Sequence, residues 1–443
     1  QGYDLTTQCP EGNPEVVQLV ACMASASAHE HTNSNGEDLG LMTAMWLHVL
    51  GEQPLGTITW SALAGRLQEL VREHFPAQRP MAIGPVERQV FGLERRHRPG
   101  VLTYALDGEQ PILRGGLLHD VAVGDRYWVM PLEAGVGARE VACAEAVVTE
   151  VRNQFAYVLL YLTEACGKIP VGARAFLRER VSRRYCVALT GSAAPSTRLR
   201  AEVVSSPLLQ VALEGANDPH ATLHLVDGYY EVRDRQGIVV RRPFARQETR
   251  PGVLVDALEH VVRAEALRTF QTRGGPRLPA SPRIQWGVVG GEACETVDAG
   301  SHLYVHTSNP GPWPLYISVL GIAVDATISL LSQATPQGGE VFGDATYTLG
   351  EDALGNLVGI PIEWSPLVPR DGPRRAALVV IATDMPVDMR PLVTGTWPHA
   401  ARCACGPEEV LPEPVKTTRS AGRGSTIRSA RSAVRVFEFW VRP

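Results

Sequence analysis

Residues 16–22 read Val-Val-Gln-Leu-Val-Ala-Cys (VVQLVAC), and the reading of the first hundred residues turns on them. A short, nearly continuous apolar run is expected of a strand buried on both faces of an α/β sheet. A polar stretch from Met23 to Asp38 follows and reads as a loop, with a turn signal in Asn33-Ser34-Asn35-Gly36. Leu39, Met42, Trp46 and Val49/Leu50 then recur at helical spacing. Thr59 is a suitable N-cap for a second helix, with Trp60, Leu63, Leu67, Leu70 and Val71 on its apolar face and Pro76 as its stop. The order is strand, loop, helix, loop, helix, exit strand, an α/β arrangement.

From about residue 98 the texture becomes β-rich. Tyr104, Leu106, Ile112, Leu113, Leu117, Val121 and Val123 lie in short alternating segments with glycine turns, followed by Asp125–Met130 and Val141–Val151. Strands at such spacing predict a small barrel or sandwich over 98–190. Residues 191–275 are mixed, with hairpin signals at Asp227-Gly228 and Arg235-Gln236-Gly237 and a helical period over Val253–Phe270. Residues 272–281 (TRGGPRLPAS) have a linker composition. Residues 276–400 predict a β-sandwich-like domain, with strands at Ile284–Val289, His302–Thr307, Leu315–Val324, Ala326–Leu331 and Ala376–Thr383. Residues 401–443 form an Arg/Ser/Gly/Pro-rich tail expected to be flexible, in which Val434–Val441 has the alternation of a closing strand. The first segment, 1–97, completes the division. The expected class is α/β followed by mostly β domains, α+β for the whole chain.

Composition narrows function. At 443 residues with 44% hydrophobic and 20% charged residues, the chain is ordinary globular protein of several domains. A net charge of −5 argues against a nucleic-acid coat or a polybasic membrane binder. All basic residues except Lys168 and Lys416 are arginine, which reads as a coding bias. No run reaches the roughly 18 apolar residues needed to span a bilayer, and no signal peptide is evident. Eight scattered cysteines are too few for a disulfide scaffold, so reduced thiols and a cytoplasmic location are expected. The chain opens at Gln1 rather than Met, as a fragment or processed product would.

Several sites are weak or missing. Gly287–Gly291 lacks the Lys-Ser/Thr of a P-loop, and neither H-E-x-x-H nor G-x-S-x-G occurs. Cys403 and Cys405 have no second ligand pair, and His29 and His31 no third ligand nearby in sequence, so no metal is expected. The Arg-Ser-rich stretch from Arg419 to Arg431 reads as linker rather than as a phosphate contact.

Six motif pieces in the first hundred residues carry a resemblance: Ala21-Cys22; Ala28-His29-Glu30; Gly40-Leu41-Met42-Thr43; Gln78-Arg79-Pro80; Gly84; and Arg88 with Phe91-Gly92. In this order they resemble the small-subunit half of the bacterial caspase-like, metacaspase-related cysteine peptidases of clan CD. Residues 113–130 look like the small β domain that follows the peptidase in such chains. Residues 300–390 look like an appended β domain often fused behind caspase-like or kinase domains, through Leu315–Val319, Ile328–Ser332 and Leu378–Asp384.

The resemblance implies peptide-bond hydrolysis through a Cys thioester, with a His taking the thiol proton. Both dyad residues belong to the large-subunit half, and no histidine precedes Cys22 here. Cys22 stands where the family carries a non-catalytic Cys, and Cys9 has no nearby histidine, so no catalytic residue is assigned to this chain. Glu30 stands where metacaspases place the Asp of a Ser-Ala-Asp motif, which implies a substrate-binding carboxylate that pairs with a substrate Arg or Lys. Glu37 and Asp38 read as helix N-terminal acids. The implied partners are a protein or peptide substrate and the large-subunit half, the dyad lying upstream of Gln1. No cofactor, nucleic acid or membrane is implied. The alternatives are a non-catalytic interaction protein on a degenerate caspase half, and an envelope β-protein, which would carry disulfides.

Overall fold

A computed structural model describes residues 16–22, 26–32, 36–52, 58–92, 94, 99–132, 134, 139–164, 169–181, 184–192, 195–213, 218–270, 275–291, 294–352, 354–395 and 428–443. The described residues are mostly β structure, with four α-helices.

The N-terminal region runs β1 (Gln18–Val20), β2 (Glu30–Thr32), β3 (Asp38–Gly40), α1 (Leu41–Glu52), α2 (Trp60–His74) and β4 (Met81–Ile83). Thr59 caps α2 as its sequence predicts, its hydroxyl accepting from the Ala62 N–H. α2 buries Leu63, Leu67, Leu70 and Val71, and Leu63, Leu67 and Leu70 pack with Val49 of α1 and Ile58. β1 pairs antiparallel with β4, Leu19 opposite Ala82, while Ala64 of α2 covers that pair. The expectation of a strand buried on both faces fails here: Gln18, Leu19 and Val20 are half-buried. Among the described residues β1 has one neighbouring strand and one covering helix, so the apolar run is covered only in part.

The next six strands close a barrel in the order β10-β5-β6-β9-β8-β7. They are β5 (Leu102–Asp107), β6 (Gln110–Leu113), β7 (Arg126–Met130), β8 (Ala144–Val151), β9 (Ala156–Leu162) and β10 (Arg174–Glu179). Alternate residues fill the interior, among them Tyr104, Tyr127, Val129, Ala146, Val148 and Val158. Cys143 is fully buried against this core and is disulfide-bonded, so the expectation of reduced thiols fails at this position. Its partner lies outside the described residues; the described Cys22, Cys186 and Cys294 are free thiols. Cys9, Cys166, Cys403 and Cys405 also lie outside them, as do Lys168 and Lys416.

The barrel ends by Glu179, earlier than the boundary expected at 190. β11 (Tyr185–Gly191) instead pairs in parallel with β12 (Leu209–Val211) and β13 (Ala221–Val226), across α3 (Thr197–Ser205). β13 turns through Asp227-Gly228 into β14 (Tyr229–Asp234), and β15 (Phe244–Ala245) closes the sheet. Both turn residues have positive φ, 49° and 81°, the two-residue hairpin geometry that their identities favour. α4 (Pro251–Arg268) lays Leu254, Leu258, Val261 and Val262 into one core with Val187, Leu223 and Val232 of this sheet.

The last region is two facing sheets. One is β16 (Arg283–Val288), β18 (His302–Ser308) and β22 (Thr346–Leu349), with β23 (Ile360–Pro361) also on β18. The other has the order β17 (Thr296–Asp298), β25 (Ser432–Arg442), β24 (Arg374–Thr383), β19 (Leu315–Ile322), β20 (Ile328–Leu330), with β21 (Gly339–Val341) on β19. Leu303 and Val305 face Ile317, Val319, Leu378 and Val380 between them. The opposite face of the second sheet, with Leu320, Val379 and Ile381, joins the α4 core.

The expected flexible tail over 401–443 is corrected at its end. β25 is an eleven-residue strand between β17 and β24, matched to β24 from Arg374↔Val441 to Thr383↔Ser432. Its alternating face, with Phe439 and Val441 in the core, supplies what Val434–Val441 predicted. Residues 396–427 lie outside the described set, including the C-A-C pair and most of the Arg-Ser stretch.

Candidate functional site

The region predicted as a polar loop is in part a hairpin: β2 and β3 pair antiparallel, with Glu30 opposite Gly40 and Thr32 opposite Asp38. Its residues show no apolar alternation, so periodicity could not reveal it. Thr32 Oγ1 donates to Asp38 Oδ1 at 2.7 Å, and the Leu41 N–H donates to the His29 carbonyl at 2.7 Å, seating the hairpin on the start of α1. Asp38 is thus a hairpin partner, and α1 has no acid in its first turn, contrary to the reading of Glu37 and Asp38 as helix N-terminal acids.

Gln78 ties this hairpin to the β-strand. Its side chain is 1% exposed; Oε1 accepts from the His29 N–H at 3.0 Å, and Nε2 donates to the Ala21 carbonyl at 3.4 Å. One buried amide therefore spans three of the motif pieces: the strand end, the Ala-x-Glu stretch and Gln-x-Pro. In the sequence Gln78 belongs to a motif piece and carries no assigned role. A lone glutamine before a proline gives no signal of what it touches.

The other pieces are also fastened. The Pro80 carbonyl accepts from Gln68 Nε2 of α2 at 2.8 Å, steering the chain into β4. Gly84 has φ of +95°, and a Cβ there would lie 2.2 Å from the Val16 carbonyl, so only glycine fits beside the strand. Arg88 donates through Nε and Nη2 to the Gly92 carbonyl, both at 3.3 Å, across a turn in which Phe91 has φ of 59°. Phe91 is 78% exposed and stands edge-on to Trp60.

Glu30 is exposed at the start of β2, flanked by two held imidazoles. His29 stacks on Phe75 at 3.6 Å between ring centres, and His31 meets His74 edge-on at 5.1 Å. A carboxylate so presented can accept a guanidinium or ammonium from a ligand. The two histidines are engaged with different rings, and the described residues contain no group of three or more His, Cys, Asp or Glu placed to hold a metal. Cys22 donates its thiol proton to the Ala26 carbonyl at 3.2 Å, and burial raises its pKa. Both disfavour the thiolate that a nucleophile needs.

Comparison with known proteins adds little. No family model matches this chain, and no curated protein matches it. A solved structure, that of the E. coli chaperone DraB, is similar to 36% of this chain and 55% of that one, at 12% identity and a TM-score of 0.17. The matched part thus spans about half of that chaperone. A likeness at this level carries no argument.

A cleft of about 170 Å³ lies elsewhere, where α2, the barrel and residues 385–391 meet; Glu30 does not line it. Glu69 of α2, 4% exposed, receives Arg114 Nε and Nη2 on its two oxygens, each at 2.8 Å. Burial pushes this carboxyl up, but the charges of Arg114, Arg72 and Arg79, with the Arg114 hydrogen bonds, together leave it below its ordinary value. His119 is half-buried at the edge of the cleft. Its Nδ1 accepts from the Gly116 N–H at 3.2 Å, so Nε2–H donates to the Asp388 carbonyl at 2.7 Å. Burial lowers its pKa and keeps the ring neutral. Nothing in the sequence places residues 114, 119 and 388 together.

Proposed function

We propose that this chain is the C-terminal portion of a bacterial caspase-like cysteine endopeptidase that cleaves after Arg or Lys. In this reading residues 16–92 are its small-subunit half, and a large-subunit half supplies the His–Cys dyad. The observation that carries the reading is the Gln78 amide, which binds the strand end and the Glu30 hairpin together at three motif positions. Motif residues drawn from three places in the sequence serve one local scaffold, and Glu30 is exposed on it. The partial cover of β1 also fits a strand that has a further neighbour in the intact peptidase. The Cys143 disulfide favours an oxidising compartment over the cytoplasm.

The test uses the full native polypeptide with its large half. Fluorogenic peptides ending in Arg, Lys or Asp are compared, with wild type and Glu30→Ala. Cleavage after Arg and Lys is expected. Glu30→Ala should lower kcat/KM for these by roughly 10- to 100-fold, the worth of a charge-assisted contact of about 1.5–3 kcal/mol. Fold stability should stay within about 0.5 kcal/mol, because Glu30 is exposed. A native polypeptide without a His–Cys pair, or one inert on all three peptides, sinks the reading.

A further inference from the structure

We infer that the cleft between α2, the barrel and residues 385–391 is an anion site built for a phosphate group. The inference does not depend on the peptidase reading. Three guanidinium groups, of Arg72, Arg79 and Arg114, gather around one buried carboxylate, Glu69, and all four line the cleft. Arg114 takes both carboxylate oxygens. Arg72 comes no closer to Glu69 than 3.9 Å, and that is its ion pair among the described residues. Arg79 donates to the Pro386 carbonyl at 3.4 Å and has no ion pair among the described residues. Two positive charges thus lie in the cleft without a carboxylate at hydrogen-bond distance.

The arrangement is costly without a ligand. Burial, then repulsion from Arg114, lowers the Arg72 pKa to about 10 and also lowers that of Arg79. Arginine forks match the oxygens of a phosphate, and a dianion would offset the mutual repulsion. Asp107 attracts Arg72 from beyond ion-pair distance and accepts from the Tyr157 hydroxyl at 2.7 Å. Asp388 is bound to Arg390, which also reaches the Ala82 carbonyl, while Glu87 faces Arg390. The neutral His119 adds no charge. A cleft of about 170 Å³ suits one phosphate or a small phosphate ester rather than a nucleotide. Because three regions line it, an anion there would tie them together.

The experiment is thermal unfolding of the full chain with inorganic phosphate or pyrophosphate, against chloride at matched ionic strength. Phosphate should raise Tm in proportion to the logarithm of its concentration. Arg72→Gln and Arg79→Gln should weaken that response at least tenfold, whereas Arg126→Gln on the barrel surface should not. Should either cleft variant fail to fold, hydrogen exchange on the wild type decides: phosphate should slow exchange over 385–391. A response no greater than that to chloride, a response kept in both cleft variants, or unchanged exchange over 385–391 overturns the assignment. A larger response to pyrophosphate than to phosphate would mark a phosphoryl ligand rather than the free ion as the one the cleft takes.

Discussion

β1 and β24 carry the same kind of sequence and meet different fates. VVQLVAC and RRAALVVIAT are both nearly unbroken apolar runs, the pattern of a strand covered on two faces. β24 obtains that cover: β19 and β25 flank it, the facing sheet packs on Leu378 and Val380, and the α4 core packs on Val379 and Ile381. Nine of its ten residues are buried. β1 has β4 on one side and α2 on one face, and stays half-buried. An apolar run states how much cover a strand requires; whether the cover is present is decided by residues far away. In the proposed peptidase the missing cover of β1 belongs to the large-subunit half.

The largest expected effect breaks or confirms this contrast directly. Leu378→Ala removes a fully buried side chain of β24 and should cost about 2–5 kcal/mol in denaturant unfolding. Leu19→Ala, at a half-buried position of β1, should cost under about 1 kcal/mol in this chain, and more in the proposed peptidase, where a large-subunit half would cover it. Equal costs in the chain alone would mean that β1 is already fully covered.

Next in size is Gly84→Ala. The added methyl would strike the Val16 carbonyl at a backbone angle that L-residues avoid, for about 1–3 kcal/mol. The damage should be local: faster hydrogen exchange at Leu19 and Ala82, with β24 unchanged. A uniform loss of protection across both regions would show that the two do not open separately.

The smallest effect concerns the joint between the regions. His119 of the barrel is held neutral against the Asp388 carbonyl, its pKa below the ordinary 6.5. The unfolded chain therefore binds a proton here that the folded chain refuses. The contribution is fully present above pH 6.5 and is lost as pH falls below it. His119→Gln should flatten that part of the stability–pH curve, and an unchanged slope would place the acid sensitivity elsewhere.

Legibility follows the range of the interactions. α2 was readable to its cap because Thr59 and the spacing of Leu63, Leu67 and Leu70 are local signals. The Asp227-Gly228 hairpin and the alternation of β25 were readable for the same reason. The β2–β3 hairpin was not, because Glu-His-Thr and Asp-Leu-Gly bear no apolar period. For Glu30, the sequence offered a position in a pattern, and the exposed hairpin and the Gln78 bridge add the scaffold. The arginine cleft was illegible because residues 69, 79, 114 and 386 meet only through the packing of three regions.

The anchoring of the last strand also sets an order of events during synthesis. Asn153, wholly buried, donates to the Ala430 carbonyl at 2.6 Å and to Ser432 Oγ at 3.1 Å, 277 and 279 residues further along. β24 cannot be flanked on its second side until residues 432–442 have left the ribosome. The barrel and α2 can form while translation continues, but the sandwich must wait with β24 uncovered. That interval leaves one edge of a long apolar strand unpaired, and it is when a chaperone would have most to protect.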